Sequence, residues 1–235
     1  MDFRFEYFLH KNKVLHDKTI VLDAYKAIYV YIAKVACRSL KLMCADVLIN
    51  KSVSDPYERI HMVEEPSFSV KDDESVTKYK DYFKFCFVRN PWDRVVSCFV
   101  DKITNEKNLN THWCINGVAK PLARYGNVFR AGMFFEEFVH AINNIPDKEA
   151  DTHFKSQSAF IIDESGREVV DFIGRFERLQ EDFSRVKKKL GLPVKELSHF
   201  GSSNRKDYKT YYNEKTKGII QKRYIRDIEM FGYEF

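Results

Sequence analysis

The chain has 235 residues, 44% of them hydrophobic, 15% aromatic and 31% charged. That length suits one domain, and the composition excludes disordered, collagen-like and low-complexity classes. Lysine and arginine number 39 against 34 aspartate and glutamate, a formal charge of +5. So mild an excess predicts no nucleic-acid partner, yet it suits an anionic ligand if part of it converges on one site.

Met1 to Tyr7 carry charges where a signal peptide needs an apolar core. No run approaches the ~18 consecutive apolar residues of a membrane helix. The five cysteines (Cys37, Cys44, Cys86, Cys98 and Cys114) form no CxxC pair and no Cys/His ligand spacing. They predict neither a disulfide framework nor a structural zinc site, and they favour a reducing compartment.

Three strand-to-helix units follow in chain order. Ala27 to Ile32 is a continuous apolar and aromatic run suited to a strand buried on both faces. After Lys34 to Ser39 comes a helical stretch with Leu40, Met43, Cys44, Val47 and Leu48 at three- and four-residue spacing. The second strand, Tyr82 to Val88, runs into Arg89-Asn90-Pro91, where Asn90 suits an N-cap and Pro91 the first helical position. Trp92, Val95, Val96, Phe99, Val100 and Ile103 then form one apolar stripe. The third strand, Val169 to Gly174, precedes a helix from Leu179 to Leu190 that Gly191 and Pro193 stop. A mostly helical insertion, about 104–168 and including Phe134 to Val139, separates the second and third units. The tail from Asn204 to Phe235 is dense in Lys, Arg and Tyr and is expected to end in a helix through Ile219, Ile220, Ile225 and Ile228. Alternating strands and helices predict a single α/β domain, residues 1–235, with a central parallel sheet flanked by helices.

In such a sheet, ligands bind beyond the carboxyl ends of the strands. Two strand ends present a cation just before a helix N-terminus: Lys34 ahead of Ser39, and Arg89 ahead of Pro91. Unpaired N–H groups and the positive dipole end make each a potential phosphate site. Ala36 is small enough to let a phosphate approach the backbone, Ser39 adds a hydroxyl, and Arg38 and Lys41 add charge. The G-x-x-x-x-G-K-[ST] of a nucleotide triphosphatase is absent, and no carboxylate stands ready for magnesium. Two anion sites and no metal suggest a nucleotide with phosphates at separated positions.

Tyr31 to Lys41, with Lys34-Val35-Ala36-Cys37-Arg38-Ser39-Leu40-Lys41 at its centre, resembles the 5′-phosphosulfate loop of the carbohydrate sulfotransferases. Arg38 stands there for the usual small hydroxyl residue. Phe85 to Ser97 resembles their 3′-phosphate motif, a strand followed by R-[DN]-P-[FW]-x-R-[LV]-x-S. Phe172 to Phe183 is similar to the family's "fIGkfE-L-eD" segment, and Asn204 to Tyr208 with Phe231 to Tyr233 matches in style. Asp151 to Gln157 resembles the acceptor-side D-x-H-W-x-P-Q segment, with Phe154 for Trp and Ser156 for Pro. The resemblance spans roughly residues 28 to 233.

It implies a P-loop-like sulfotransferase architecture and sulfuryl transfer from 3′-phosphoadenosine 5′-phosphosulfate (PAPS), leaving 3′,5′-ADP and using no metal. By the same resemblance, Lys34 stabilises the leaving phosphate. The backbone of Ala36, Cys37, Arg38, Ser39, Leu40 and Lys41 holds the 5′-phosphate, Arg89 and Ser97 hold the 3′-phosphate, and Arg205 and Lys206 close over the nucleotide. His153 is the candidate base for the acceptor hydroxyl, with carboxylates such as Glu136, Glu137 and Asp151 behind it. The expected acceptor is a carbohydrate or glycolipid precursor, in a bacterial cytoplasmic setting unless an anchor lies outside this sequence. Alternatives are a small alcohol, phenol or peptide tyrosine as acceptor, or a silent protein that binds 3′,5′-ADP or a polyanion.

Plainer readings stand beside these. Lys34 alone reads as a solvated lysine, Arg89 could pair with Asp93, and His153 is as readily structural as catalytic. His140 reads as an ordinary helix histidine, while His10, His16, His61, His112 and His199 belong to no constellation. Lys187 to Lys189 read as a solvated helix end, and Tyr211-Tyr212 reads as a packing pair, with lining of an acceptor groove as the alternative.

Overall fold

A computed structural model of the chain describes residues 19–48, 78–103, 114–115, 117–163, 165–194, 196–197 and 205–235. The readings placed on Met1 to Tyr7, on Asn204 and on His10, His16, His61, His112 and His199 lie outside these residues. In chain order the elements begin β1 (Thr19–Leu22), β2 (Ala27–Val30), α1 (Cys37–Leu48), β3 (Phe83–Val88) and α2 (Pro91–Lys102). A short hairpin, β4 (Cys114–Ile115) and β5 (Val118–Ala119), leads to α3 (Lys120–Ala123) and α4 (Phe135–Asn143). Then come β6 (Phe172–Arg175), α5 (Leu179–Leu190), α6 (Glu214–Arg223) and α7 (Ile225–Phe231). They fall into two compact units: a sheet unit within Val14–Arg89 and Gln157–Ser202, and a helical unit within Asn90–Ser156 and Ser203–Phe235.

The sheet unit is α/β, with strand order β1-β2-β3-β6. Strands β2, β3 and β6 run parallel, and β1 pairs with β2 antiparallel. The antiparallel edge strand was not foreseen. Its turn holds no glycine or asparagine, and Lys26 adopts the left-handed conformation instead, at φ 47°. Helix α1 packs on β1 and α5 on β6, so helices flank a mostly parallel sheet. Tyr29 of β2 stacks on Phe85 of β3 with centroids 5.3 Å apart. The third strand starts later than its apolar run predicts, because the Asp171 carboxylate takes the Lys84 N–H at 2.7 Å in place of a strand carbonyl. Helix α5 has the expected bounds and ends on left-handed Gly191.

The helical unit is built around the stripe of α2. Trp92, Val95, Val96, Phe99 and Ile103 are buried against Phe135, Phe138, Val139 and Ile142 of α4 and Ile220 of α6. Asn90 caps α2 as expected: its Oδ1 accepts from the backbone N–H of Trp92 at 3.1 Å. The C-terminal helix is broken in two at Tyr224, whose φ of −110° and ψ of 28° leave the helical region. Tyr212 donates its hydroxyl to the Trp92 carbonyl at 2.9 Å, and its ring meets Phe135 edge-on, so this tyrosine packs the core.

Candidate functional site

In the sheet unit, β2 ends at Val30 and α1 begins at Cys37. Two residues between them, Lys34 at φ 70° and Ala36 at φ 50°, are left-handed, although neither is glycine. An L-residue there costs roughly 1–2 kcal/mol, so a turn holding two of them stores strain that has to be maintained. Alternation of backbone hand turns successive N–H groups to one side, which makes the concave nest that receives anions. The Ala36 carbonyl accepts from Leu40 N–H at 3.1 Å, closing the first turn of α1. Cys37, Arg38, Ser39, Leu40 and Lys41 thus form the N-terminal turn of α1 and its continuation. Ser39 and Lys41 are buried, and the Lys41 ammonium lies 3.7 Å from the centroid of the Tyr31 ring.

Arg89 follows the last residue of β3 and is 7% exposed. Its Nη1 donates to the Lys34 carbonyl at 3.0 Å, and its guanidinium lies 3.9 Å from the centroid of Phe176, just past β6. The ends of three parallel strands therefore converge on one cationic fork. The backbone of Arg89 is gripped by Gln157, whose Oε1 accepts its N–H at 2.9 Å and whose Nε2 donates to its carbonyl at 2.8 Å.

In the helical unit, Ser97 is half-buried on α2. Asp93 pairs with Arg205, so the carboxylate proposed as a bland partner for Arg89 has another cation on it. Lys206 is exposed. His153 sits on the turn after Asp151 with its side chain 21% exposed. Its Nδ1 lies 2.5 Å from Asp151 Oδ1, and Arg124 Nη2 lies 2.9 Å from Asp151 Oδ2. Burial pushes the Asp151 carboxyl up, but the charges of His153 and Arg124 and the bonds from His153 outweigh it and hold the group at about 2. An ionised carboxylate only accepts, so Nδ1 carries a hydrogen toward Asp151, and whenever the ring is neutral Nε2 is its acceptor nitrogen.

The carboxylates considered behind His153 are otherwise engaged. Glu136 bonds Lys215 at 3.0 Å, Glu137 pairs with Arg130 and accepts the Phe134 N–H at 2.6 Å, and Asp151 is held by Arg124 and His153. His140 faces Glu136 at 3.8 Å with its side chain 42% exposed, an ordinary surface position. The structure brings Lys34, the first turn of α1 and Arg89 together in the sheet unit. It brings Ser97, Arg205, Lys206 and His153 into the helical unit.

Four residues escaped the sequence reading of roles. Gln157, Phe176 and Arg94 lie inside recognised motifs but act on backbone or on an aromatic face, which spacing does not signal. Arg124, which pairs with Asp151, has no sequence signal at all. Among the described residues no group of three or more His, Cys, Asp or Glu side chains is placed to hold a metal, and no helix is long and apolar enough to cross a membrane.

The chain matches the model of the sulfotransferase family over residues 17–234, and it belongs to that family. It is 24% identical to carbohydrate sulfotransferase 14 of Danio rerio, over 95% of this chain and 64% of that protein. It is 25% identical to human carbohydrate sulfotransferase 9, over 93% of this chain and 50% of the relative. With carbohydrate sulfotransferase 11 of Rattus norvegicus it shares 27% identity over 74% and 53%. The chain thus spans about half to two thirds of the length of the curated relatives it matches. No solved structure matches it.

Proposed function

We propose that this chain transfers the sulfuryl group of PAPS to a hydroxyl of a carbohydrate acceptor. The observation that carries this reading is the strained turn of Lys34 and Ala36, whose Lys34 carbonyl is fixed by the Arg89 fork at 3.0 Å. Sulfuryl transfer is an in-line displacement: the acceptor oxygen bonds to sulfur as the bond from sulfur to the 5′-phosphate oxygen breaks. Negative charge then builds on that phosphate. A cation fixed in place before reaction stabilises it most in the transition state, and Lys34 has that role. The backbone from Ala36 to Lys41 with the Ser39 hydroxyl holds the 5′-phosphate. Arg89, joined by Ser97, recognises the 3′-phosphate with a planar fork that lysine lacks, and Arg205 and Lys206 close over the nucleotide. His153 Nε2 takes the acceptor proton, with Asp151 fixing the tautomer.

The names of the relatives support a carbohydrate acceptor, and we take it to be a glycan or glycolipid precursor. Five free cysteines, three of them buried, support a reducing compartment such as the cytoplasm. Both units are assigned to one sulfotransferase domain spanning residues 1–235.

Calorimetry with 3′,5′-ADP and 5′-AMP tests the donor, and the 3′-phosphate should confer most of the affinity. Incubation with PAPS and a glycan panel should add the mass of one SO3 group to a glycan, and this transfer should survive EDTA. Lys34→Ala should lower kcat far more than it weakens 3′,5′-ADP binding. Equal nucleotide affinities overturn the donor assignment. Transfer to phenols or peptide tyrosine alone overturns the acceptor, and nucleotide binding without any transfer identifies a silent binder.

A further inference from the structure

Arg94 belongs to the Arg89-Asn90-Pro91-Trp92-Asp93-Arg94 stretch that reads as an anion-binding motif, yet its side chain serves the turn of His153. It is 2% exposed, one of the largest fully buried side chains of the chain. Its Nη1 donates to the Lys155 carbonyl at 2.7 Å and its Nη2 to the Thr152 carbonyl at 2.9 Å. The Phe154 carbonyl, which lies between these two in sequence, accepts the buried Tyr224 hydroxyl at 2.6 Å. From within the turn, the Asp151 carbonyl accepts the N–H groups of Phe154 at 2.9 Å and Lys155 at 2.8 Å. The His153 N–H goes to Asp151 Oδ1 at 3.0 Å. Each residue from 151 to 155 therefore has at least one backbone group bonded, with two buried side chains holding the segment from outside.

A guanidinium is costly to bury and is retained where its fixed fork meets acceptors that no other side chain spans. Thr152 and Lys155 offer two carbonyls one turn apart, and a lysine ammonium in the same place is a single point donor. We propose that Arg94 is a positioning residue for His153, clamping the carbonyls that flank it so that the imidazole keeps its 2.5 Å bond to Asp151. Arg94 thus divides the motif by role: Arg89 serves the donor nucleotide and Arg94 serves the base. This rests on the reading of His153 as the base.

The test uses the full chain with ¹⁵N-labelled histidine. In the wild type, His153 Nδ1–H should give a slowly exchanging, far-downfield proton signal. Arg94→Lys keeps the charge but grips one carbonyl at most. It should erase or shift that signal and lower kcat by about 10²-fold, the loss typical of a misplaced catalytic group, with 3′,5′-ADP affinity unchanged. Tyr224→Phe removes the single bond to Phe154 and should shift the same signal less; it carries the test if Arg94→Lys does not fold. Persistence of the wild-type signal in the folded variants overturns the proposal. So does a loss of 3′,5′-ADP affinity that matches the loss of kcat, which would make Arg94 a donor ligand. A lost signal with unchanged turnover upholds the clamp and overturns His153 as the base.

Discussion

Gln157 hydrogen-bonds the backbone of Arg89 at both ends: its amide oxygen takes the N–H at 2.9 Å and its amide nitrogen gives to the carbonyl at 2.8 Å. Gln157 is fully buried, and Arg89 nearly so. The pair does at the end of β3 what another strand would do, for a residue that has left the ladder. Local sequence at residue 89 cannot encode this, because the partner lies 68 positions on.

Gln157→Ala leaves a buried donor and a buried acceptor unpaired and opens a cavity. The expected loss is about 2–4 kcal/mol in urea unfolding, together with weaker 3′,5′-ADP binding as the Arg89 fork loses its fixed base. Unchanged stability would mean that water replaces the amide there.

Ala36 should tolerate, and prefer, glycine. At φ 50° its Cβ strains the turn, and part of the gain from removing it is lost to the greater freedom of the unfolded chain. Ala36→Gly should gain about 1 kcal/mol and raise Tm by about 2–4 °C. A lower Tm would show that the methyl packs usefully.

Two further glycines separate packing from backbone freedom. A Cβ on Gly174 would lie 2.4 Å from Cε1 of Phe87, a fully buried ring on the neighbouring strand. Gly174→Ala should therefore cost about 3 kcal/mol or more and lower the soluble yield. Gly218, inside α6, has nothing within 4 Å of such a Cβ, and Gly218→Ala should stabilise by about 0.5–1 kcal/mol. Thermal unfolding of the two variants should move in opposite directions.

Legibility in the sequence followed the range of the interaction. The first two strand runs, the Asn90–Pro91 start of α2, the α2 stripe and the Gly191 stop of α5 are written in adjacent residues and appear where expected, whereas the third strand starts later than its run. Strand β1 was hidden because a lysine, with no turn signal, makes its hairpin. The break at Tyr224 was hidden because a hydroxyl bond to Phe154, 70 positions away, forms there. Lys34, Arg89 and His153 were legible as motif members. Their supports, Phe176, Gln157, Arg94 and Arg124, were not, because each acts across the chain on a carbonyl, a ring or a carboxylate.

Asp151 offers a test that reads stability and chemistry from one substitution. Its carboxyl is held at about 2, below the ordinary 3.8. The folded state thus favours the ionised form, and the stability this contributes is present above pH 3.8 and lost as pH falls towards 2. A difference of that size corresponds to about 2 kcal/mol. Asp151→Asn keeps the shape but removes the titration, so unfolding free energy should be lower at pH 6 and should lose part of its fall between pH 4 and 2. The Asn amide can also donate to His153 Nδ1, which moves the ring hydrogen to Nε2 and removes the acceptor nitrogen that the proposed function requires. Turnover should fall by about 10²–10⁴-fold, while 3′,5′-ADP binding through Lys34 and Arg89 stays as in the wild type. Wild-type turnover by a folded Asp151→Asn chain would show that the tautomer of His153 does not matter to the reaction.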